Sequence, residues 1–397
     1  MSHLRAPFTG PALFSYGFRP FFLAATLFGV LVVPVWLLAW RGDVALSGPF
    51  SPVDWHVHEM LFGYAAAVIA GFLFTAVPNW TGRMPARGWP LLGLLTLWIL
   101  GRLAVAGVLG LPDVGVMIVD AAFLAAVCAM IAREIVAGRN WRNLKVCVPV
   151  LLFLSANLMF HAEAMTKGAA DYGLRLGFSV VVFLIMLIGG RIIPSFTRNW
   201  LAKRGASRMP KPFGRFDGLS LAVGATGLLT WTAAPWSVAA GLALGLAGGL
   251  HVVRLVRWEG RATWRSPLLL MLHIAYAFVP MGLFATAAAS VGWVAPAMGI
   301  HLLGIGAIGG MTLAVMMRAT RGHTGRSLDA GPALTAAFVL IVGAALLRAL
   351  GAYSELAGVD GITLAATLWT AGFAIVVARI APWLALPAPE RKRAQTA

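Results

Sequence analysis

The sequence predicts an all-α fold, a polytopic transmembrane helical bundle of about 12 helices. Three observations predict it. Hydrophobic residues make up 60% of the 397 and charged residues only 11%, whereas a soluble domain is about one-quarter charged. Apolar runs of the roughly 20 residues needed to cross a bilayer recur from Phe21 to Leu384. Basic residues gather in the short loops between alternate runs. A single integral membrane domain, 1–397, with short tails is therefore expected. The longest polar stretch, Thr197 to Asp217, is too short for a soluble module.

In chain order, helices are expected at about 21–40, 56–79, 90–110, 113–137, 147–166, 173–195, 217–234, 236–257, 266–288, 292–317, 331–352 and 360–384. Gly88 and Pro90, Leu111-Pro112, Ala234-Pro235 and Gly331-Pro332 punctuate the joins, because Pro and Gly break helices. The loops after helices 2, 4, 6, 8 and 10 hold most of the Lys and Arg, from Arg83 and Arg87 through Arg139, Arg142 and Lys145 to Arg318, Arg321 and Arg326. The C-terminus adds Arg391, Lys392 and Arg393. By the positive-inside rule both termini are cytoplasmic and the helix count is even. The net charge of +17 is thus a topology signal distributed over loops, and no nucleic-acid partner is expected. Met1 to Tyr16 lacks the basic start and apolar core of a cleavable signal. Cys128 and Cys147 are too few for a disulfide framework, lack metal-site spacing and read as membrane-facing or core thiols.

A faint repeat runs through the chain. Ala70–Arg83, Leu187–Trp200 and Ile308–Arg326 are each a Gly-containing apolar run ending in Thr and Arg, on helices 2, 6 and 10. A recurrence every four helices points to three four-helix units.

Ionisable groups inside a bilayer are costly and therefore functional candidates. Trp55-His56-Val57-His58-Glu59-Met60 opens helix 2 on the expected outer side. His56 and His58 lie about 200° apart on a helix and cannot face one partner there, although they could if the entry were extended. His56 and Glu59 share a helical face, as an imidazole ligand and its supporting carboxylate would. The structural alternative is an interfacial polar patch anchored by Trp55. His161 ends helix 5 at a similar depth. His301 lies 17 residues before Arg318, roughly 26 Å along helix 10. Gly304, Gly306, Gly309 and Gly310 beside it leave room either for a flat macrocycle or for close helix packing. Metal candidates are therefore His56, His58, Glu59, His161 and His301. His273, about 12 Å into helix 9 from the inner face, is a further cofactor-binding or proton-relay candidate. Arg191, after Gly189-Gly190, could hold an anionic group or snorkel, and Arg19 and Arg102 pose the same choice. His251 reads as interfacial; His323, in a basic loop, and His3 carry no functional signal. No intramembrane acidic pair stands out, and no phosphate loop, Cys-x-x-Cys-His, nucleophile elbow or His-Glu-x-x-His is present.

Several stretches carry a family resemblance. They are Phe18-Arg19-Pro20-Phe21-Phe22-Leu23, Trp55–Tyr64, Gly71–Gly82, Gly189–Thr197, Gly310-Met311-Thr312 and Arg318–Gly325. In this order, over nearly the whole chain, they resemble the NnrS family of bacterial inner-membrane proteins. The resemblance implies a haem- and copper-containing protein of the bacterial inner (cytoplasmic) membrane. It also implies a role in nitric oxide metabolism or resistance to nitrosative stress, with nitric oxide as ligand and an unassigned electron donor. Imidazole suits both haem iron and copper. The three four-helix units also resemble subunit I of haem–copper oxidases, which has histidines on its second and tenth helices. This chain lacks that subunit's His-Pro-Glu-Val-Tyr run, its adjacent histidines on helix 7 and its His-x-His on helix 10, so oxygen reduction is not expected.

Three functions compete. One is a haem–copper protein that binds or turns over nitric oxide. Another is a secondary transporter with a His/Arg-lined midplane site. The last is a haem-based sensor or assembly factor without turnover.

Overall fold

The computed structural model describes residues 8–351, 354–356 and 358–387; His3, Arg391, Lys392 and Arg393 lie outside the described residues. Among the described residues twelve helices follow one another. They are α1 Phe18–Arg41, α2 Pro52–Thr81, α3 Trp89–Val105, α4 Asp113–Ala137, α5 Trp141–Lys167 and α6 Tyr172–Ala202, then α7 Arg215–Ala233, α8 Val238–Val256, α9 Pro267–Ser290, α10 Pro296–His323, α11 Gly331–Leu350 and α12 Gly361–Ala385. Ten are long and apolar enough to cross a membrane; α3 and α7 are the other two. The 17 residues of α3 rise only about 26 Å. In α7 the apolar run is diluted by Asp217, Ser220 and glycines.

The helix ends depart from expectation for local reasons. α2 starts four residues earlier, at Pro52, because the Ser51 hydroxyl accepts the Asp54 amide and Pro is preorganised for the first turn. α3 stops at Val105, not 110, as Gly107 turns the chain at φ 81°. α6 and α10 continue to Ala202 and His323, so their Thr- and Arg-bearing ends are still helical. A two-residue antiparallel ladder, Glu355–Leu356 with Val359–Asp360, precedes α12. Asp360 caps α12 through the Thr363 amide and pairs with Arg41 at 2.7 Å, tying the end of α1 to the start of α12. At the opposite face Arg19 donates to the carbonyls of Leu384 and Leu386, both at 2.9 Å. It closes the last turn of α12, which settles its role as a helix-end donor.

Sequence neighbours pack against one another around the bundle, and α12 closes on α1. α2, α6, α9 and α10 are the most deeply buried spans. Three of these four contain a π-helical turn: Glu59–Ala65 in α2, Ile185–Gly189 in α6 and Leu302–Gly309 in α10. Such turns interrupt the regular hydrogen-bond ladder and concentrate at functional sites. They recur every fourth helix, the interval of the sequence repeat.

Candidate metal centre

The first π turn shapes the principal site. Up to His58, α2 is α-helical, and at Glu59 it widens. The carboxylate that an α-helical spacing would place beside His56 lies instead beside His58: Glu59 Oε1 is 3.0 Å from His58 Nδ1. A wider turn rotates successive residues less. His56 and His58 do diverge, and each enters a different cluster.

His58 meets Asp120 of α4 and Asn157 and His161 of α5. Its Nε2 is 3.1 Å from Asp120 Oδ2 and 3.0 Å from Asn157 Oδ1. His161 Nε2 lies 3.2 Å from the same Asp120 oxygen, and Asn157 Nδ2 donates to it at 2.8 Å. One ligand atom from each of His58, Asp120 and His161 falls within 4.8 Å of the other two. An ion that holds N and O ligands at about 2.0–2.2 Å can therefore be reached by all three with small movements. All five side chains are buried, the most exposed residue being Asp120 at 2%. Arg102 of α3 bridges Glu59 and Asp120. Phe50, with ring centroids 4.8 Å from His58 and 4.9 Å from His161, and Phe160 wall the group from solvent. Glu59 Oε2 is buried without a hydrogen-bond partner among the described residues. Buried carboxylate oxygens are rarely left so unless a water or ion satisfies them.

His56 takes the other direction. It packs in a tilted arrangement against Trp36, ring centroids 4.3 Å apart, within electrostatic reach of His301 and Arg348. His301 Nδ1 donates to the Ala297 carbonyl at 2.7 Å, which leaves Nε2 as the ring's lone-pair nitrogen. His56 Nδ1 is buried and has no hydrogen-bond partner among the described residues. The glycines near His301 mostly serve packing. Side chains of Phe278 and Trp369 fill the positions where Cβ atoms of Gly306 and Gly309 would stand; Gly304 has only Phe178 at 3.7 Å.

The remaining candidates lie elsewhere. His273 Nε2 is 3.0 Å from Thr197 Oγ1, and Arg191 is exposed with its guanidinium 5.4 Å from the Phe213 ring. His251, read as interfacial, is fully buried in a second polar cluster. There Arg254 donates to Asp217 at 2.9 Å, to the Met186 carbonyl in the α6 π turn at 2.7 Å, and to Tyr276 Oη at 3.0 Å. Tyr276 in turn lies 2.8 Å from His251 Nδ1.

Sequence reasoning missed Asp120, Asn157, Asp217 and Arg254. The signal for Asp120 was present: one acid inside the apolar run Val114–Val127. With Glu59 it forms the intramembrane acidic pair that the sequence did not reveal, because the two acids are 61 positions apart (120 − 59) and share Arg102 only in the fold.

Fold and site together define a polytopic helical membrane protein with a buried His/carboxylate group able to hold a metal ion. A family model described as NnrS protein matches residues 12–387. The chain belongs to the NnrS family. No curated protein matches it.

Proposed function

We propose that the protein is a haem- and copper-binding protein of the bacterial inner membrane that binds or turns over nitric oxide in nitric oxide metabolism or nitrosative-stress resistance. The observation that carries the metal-binding part is the convergence of His58, Asp120 and His161, with Glu59 set behind His58. Copper, a natural partner of imidazole, would be held by those three side chains. Haem would be held by His56 and His301, the one with a buried nitrogen that has no partner among the described residues and the other with its tautomer fixed by Ala297. Bound metals would supply redox chemistry and an open position for a diatomic ligand.

The chain's own residues prepare that chemistry. Glu59 and the Ala297 carbonyl orient the rings of His58 and His301. Arg102 offsets the charge of Glu59 and Asp120, which would otherwise face each other in an apolar interior. Phe50 and Phe160 exclude water. A small neutral gas dissolves in hydrocarbon and reaches such a centre from the bilayer without a polar channel.

The test is the absorption spectrum and elemental analysis of the purified chain. A Soret band that shifts with nitric oxide, together with copper, is expected. His301→Ala should remove the band and His161→Ala the copper. Absence of both metals from wild type overturns the reading. Binding of nitric oxide without consumption would identify a sensor. The Glu59–Asp120 pair favours one second reading, a cation-coupled transporter. Substrate-dependent uptake into proteoliposomes lacking any chromophore would establish that reading instead.

A further inference from the structure

The loop after α2 and the last turns of α4 enclose an open cavity of about 390 Å³, at the opposite end of α2 from Glu59. Arg83, Arg87 and Arg133 line it, and Glu134 is the one acid among its lining residues. Glu134 accepts from Arg83 Nε at 2.7 Å and from Arg133 at 3.0 Å. Arg87 has no carboxylate partner among the described residues; its guanidinium lies 5.9 Å from the Phe8 ring. Pro90, in the first turn of α3, also lines the cavity, so the positive end of that helix dipole adds to its potential. A shallow apolar crevice shares Met84, Ala86 and Glu134 with the cavity and continues along Phe74, Val77 and Ile131. Phe74 stands seven residues before Thr81, the last of α2 (81 − 74), so the crevice runs about 10 Å into the spanning part of the helix.

We propose that this cavity and crevice hold an acidic phospholipid, its phosphodiester among Arg83, Arg87 and Arg133 and its glycerol end against Phe74, Val77 and Ile131. Charge selects the headgroup. Three guanidiniums against one carboxylate leave an excess of two positive charges (3 − 1), and the guanidinium fork matches phosphate oxygens. Glu134 engages Arg83 only through Nε, so the terminal nitrogens of Arg83 are left to reach a phosphate. The crevice selects a lipid over a soluble phosphate. A free anion gains nothing from apolar walls, whereas a lipid removes them from water. Position agrees with both. The loop after α2 belongs to the face that the positive-inside rule assigns to the cytoplasm, where clustered arginines attract acidic lipids. Asn140 donates to the Trp80 carbonyl at 2.5 Å, which brings the basic loop of Arg139, Arg142 and Lys145 against the same end of α2. Trp89, beside Pro90 and 83% exposed, marks the interfacial level.

Lipid titration of the purified full chain tests the proposal. The chain is delipidated in neutral detergent, then given dioleoyl phosphatidylglycerol or dioleoyl phosphatidylcholine, and binding is read by native mass spectrometry and as a rise in unfolding temperature. Wild type should retain phosphatidylglycerol in preference to phosphatidylcholine. Arg83→Gln combined with Arg87→Gln should weaken that retention roughly 30-fold, about fivefold for each arginine beside an acidic headgroup. Arg261→Gln combined with Arg265→Gln removes the same charge from another loop and should leave retention unchanged. Glu134→Gln should tighten it, because Arg83 and Arg133 lose their carboxylate. A merely structural ion pair would give no such gain, so this variant decides the matter even if the double arginine variant fails to fold. Equal affinity for the two lipids, equal losses in the two double variants, or no tightening in Glu134→Gln would overturn the site. Displacement of the bound lipid by inorganic phosphate would assign the cavity to a soluble anion instead and overturn it too.

Discussion

The Asp120 cluster sets one guanidinium between two carboxylates, whereas the Asp217 cluster sets one carboxylate beside two guanidiniums. In the first, Arg102 pairs with both Glu59 and Asp120. In the second, Asp217 pairs with Arg254 at 2.9 Å and faces Arg257 at 3.7 Å. Both clusters engage a π turn, through Glu59 in α2 and through the Met186 carbonyl in α6. The imidazoles separate them. His58 and His161 point nitrogens at one Asp120 oxygen, whereas His251 is bonded to Tyr276 and His273 to Thr197. An excess of acceptors with converging imidazoles suits a cation. An excess of guanidinium charge with imidazoles turned to hydroxyls suits a structural joint.

The largest expected difference lies in the arginines. Arg102→Gln strands two buried carboxylates, and breaking a buried pair this way costs about 3–5 kcal/mol. Arg254→Gln should cost less, because Arg257 remains near Asp217. Thermal unfolding in detergent checks this. Equal losses would mean that the two clusters bear charge alike, and the comparison would fail.

Metal retention comes next. His161→Ala and Asp120→Asn should each abolish stoichiometric metal at this centre, since each removes one of three converging ligands. Glu59→Gln should weaken retention about 10–100-fold without abolishing it, the usual cost of losing a group that orients a ligand. His251→Ala and His273→Ala should leave metal content unchanged. Elemental analysis after dialysis against graded chelator separates the three classes. If His251→Ala loses as much metal as His161→Ala, the assignment of roles is wrong.

A smaller effect is expected at Gly190. A methyl group there would overlap the Arg254 guanidinium, so Gly190→Ala should cost about 1–3 kcal/mol, the range for overpacking a filled interior. Metal content should not change. A drop would show that the Asp217 cluster supports the metal centre across the bundle.

The helices were legible because a span is a local property: an apolar run long enough to cross a bilayer announces itself without reference to the rest of the chain, and only α3, at 17 residues, and α7, diluted by Asp217 and Ser220, fall short of one. The repeat on helices 2, 6 and 10 was visible for the same reason; that the same three helices each carry a π turn, in helix 2 ahead of the repeated segment, was not. Nothing in the composition of Glu59–Ala65 announces a wider turn, and that turn decides whether Glu59 supports His56 or His58. The clusters were legible only in part. Histidines stand out by type, so His58, His161 and His301 were found. Asp120 and Asn157 acquire meaning only when α4 and α5 bring them against α2.

The smallest expected effect tests the joint most finely. Arg254 donates one N–H to Tyr276 Oη, so the phenol's own proton is directed to His251 Nδ1. Tyr276→Phe removes both bonds but leaves Arg254 with Asp217 and the Met186 carbonyl. No charge is stranded, so the loss should be about 1–2 kcal/mol for the two bonds together, each of ordinary net worth, read as a small fall in unfolding temperature. A loss as large as that of Arg102→Gln would show that the Tyr276 hydroxyl holds Arg254 in place. The joint would then depend on its phenol as the metal centre depends on its guanidinium.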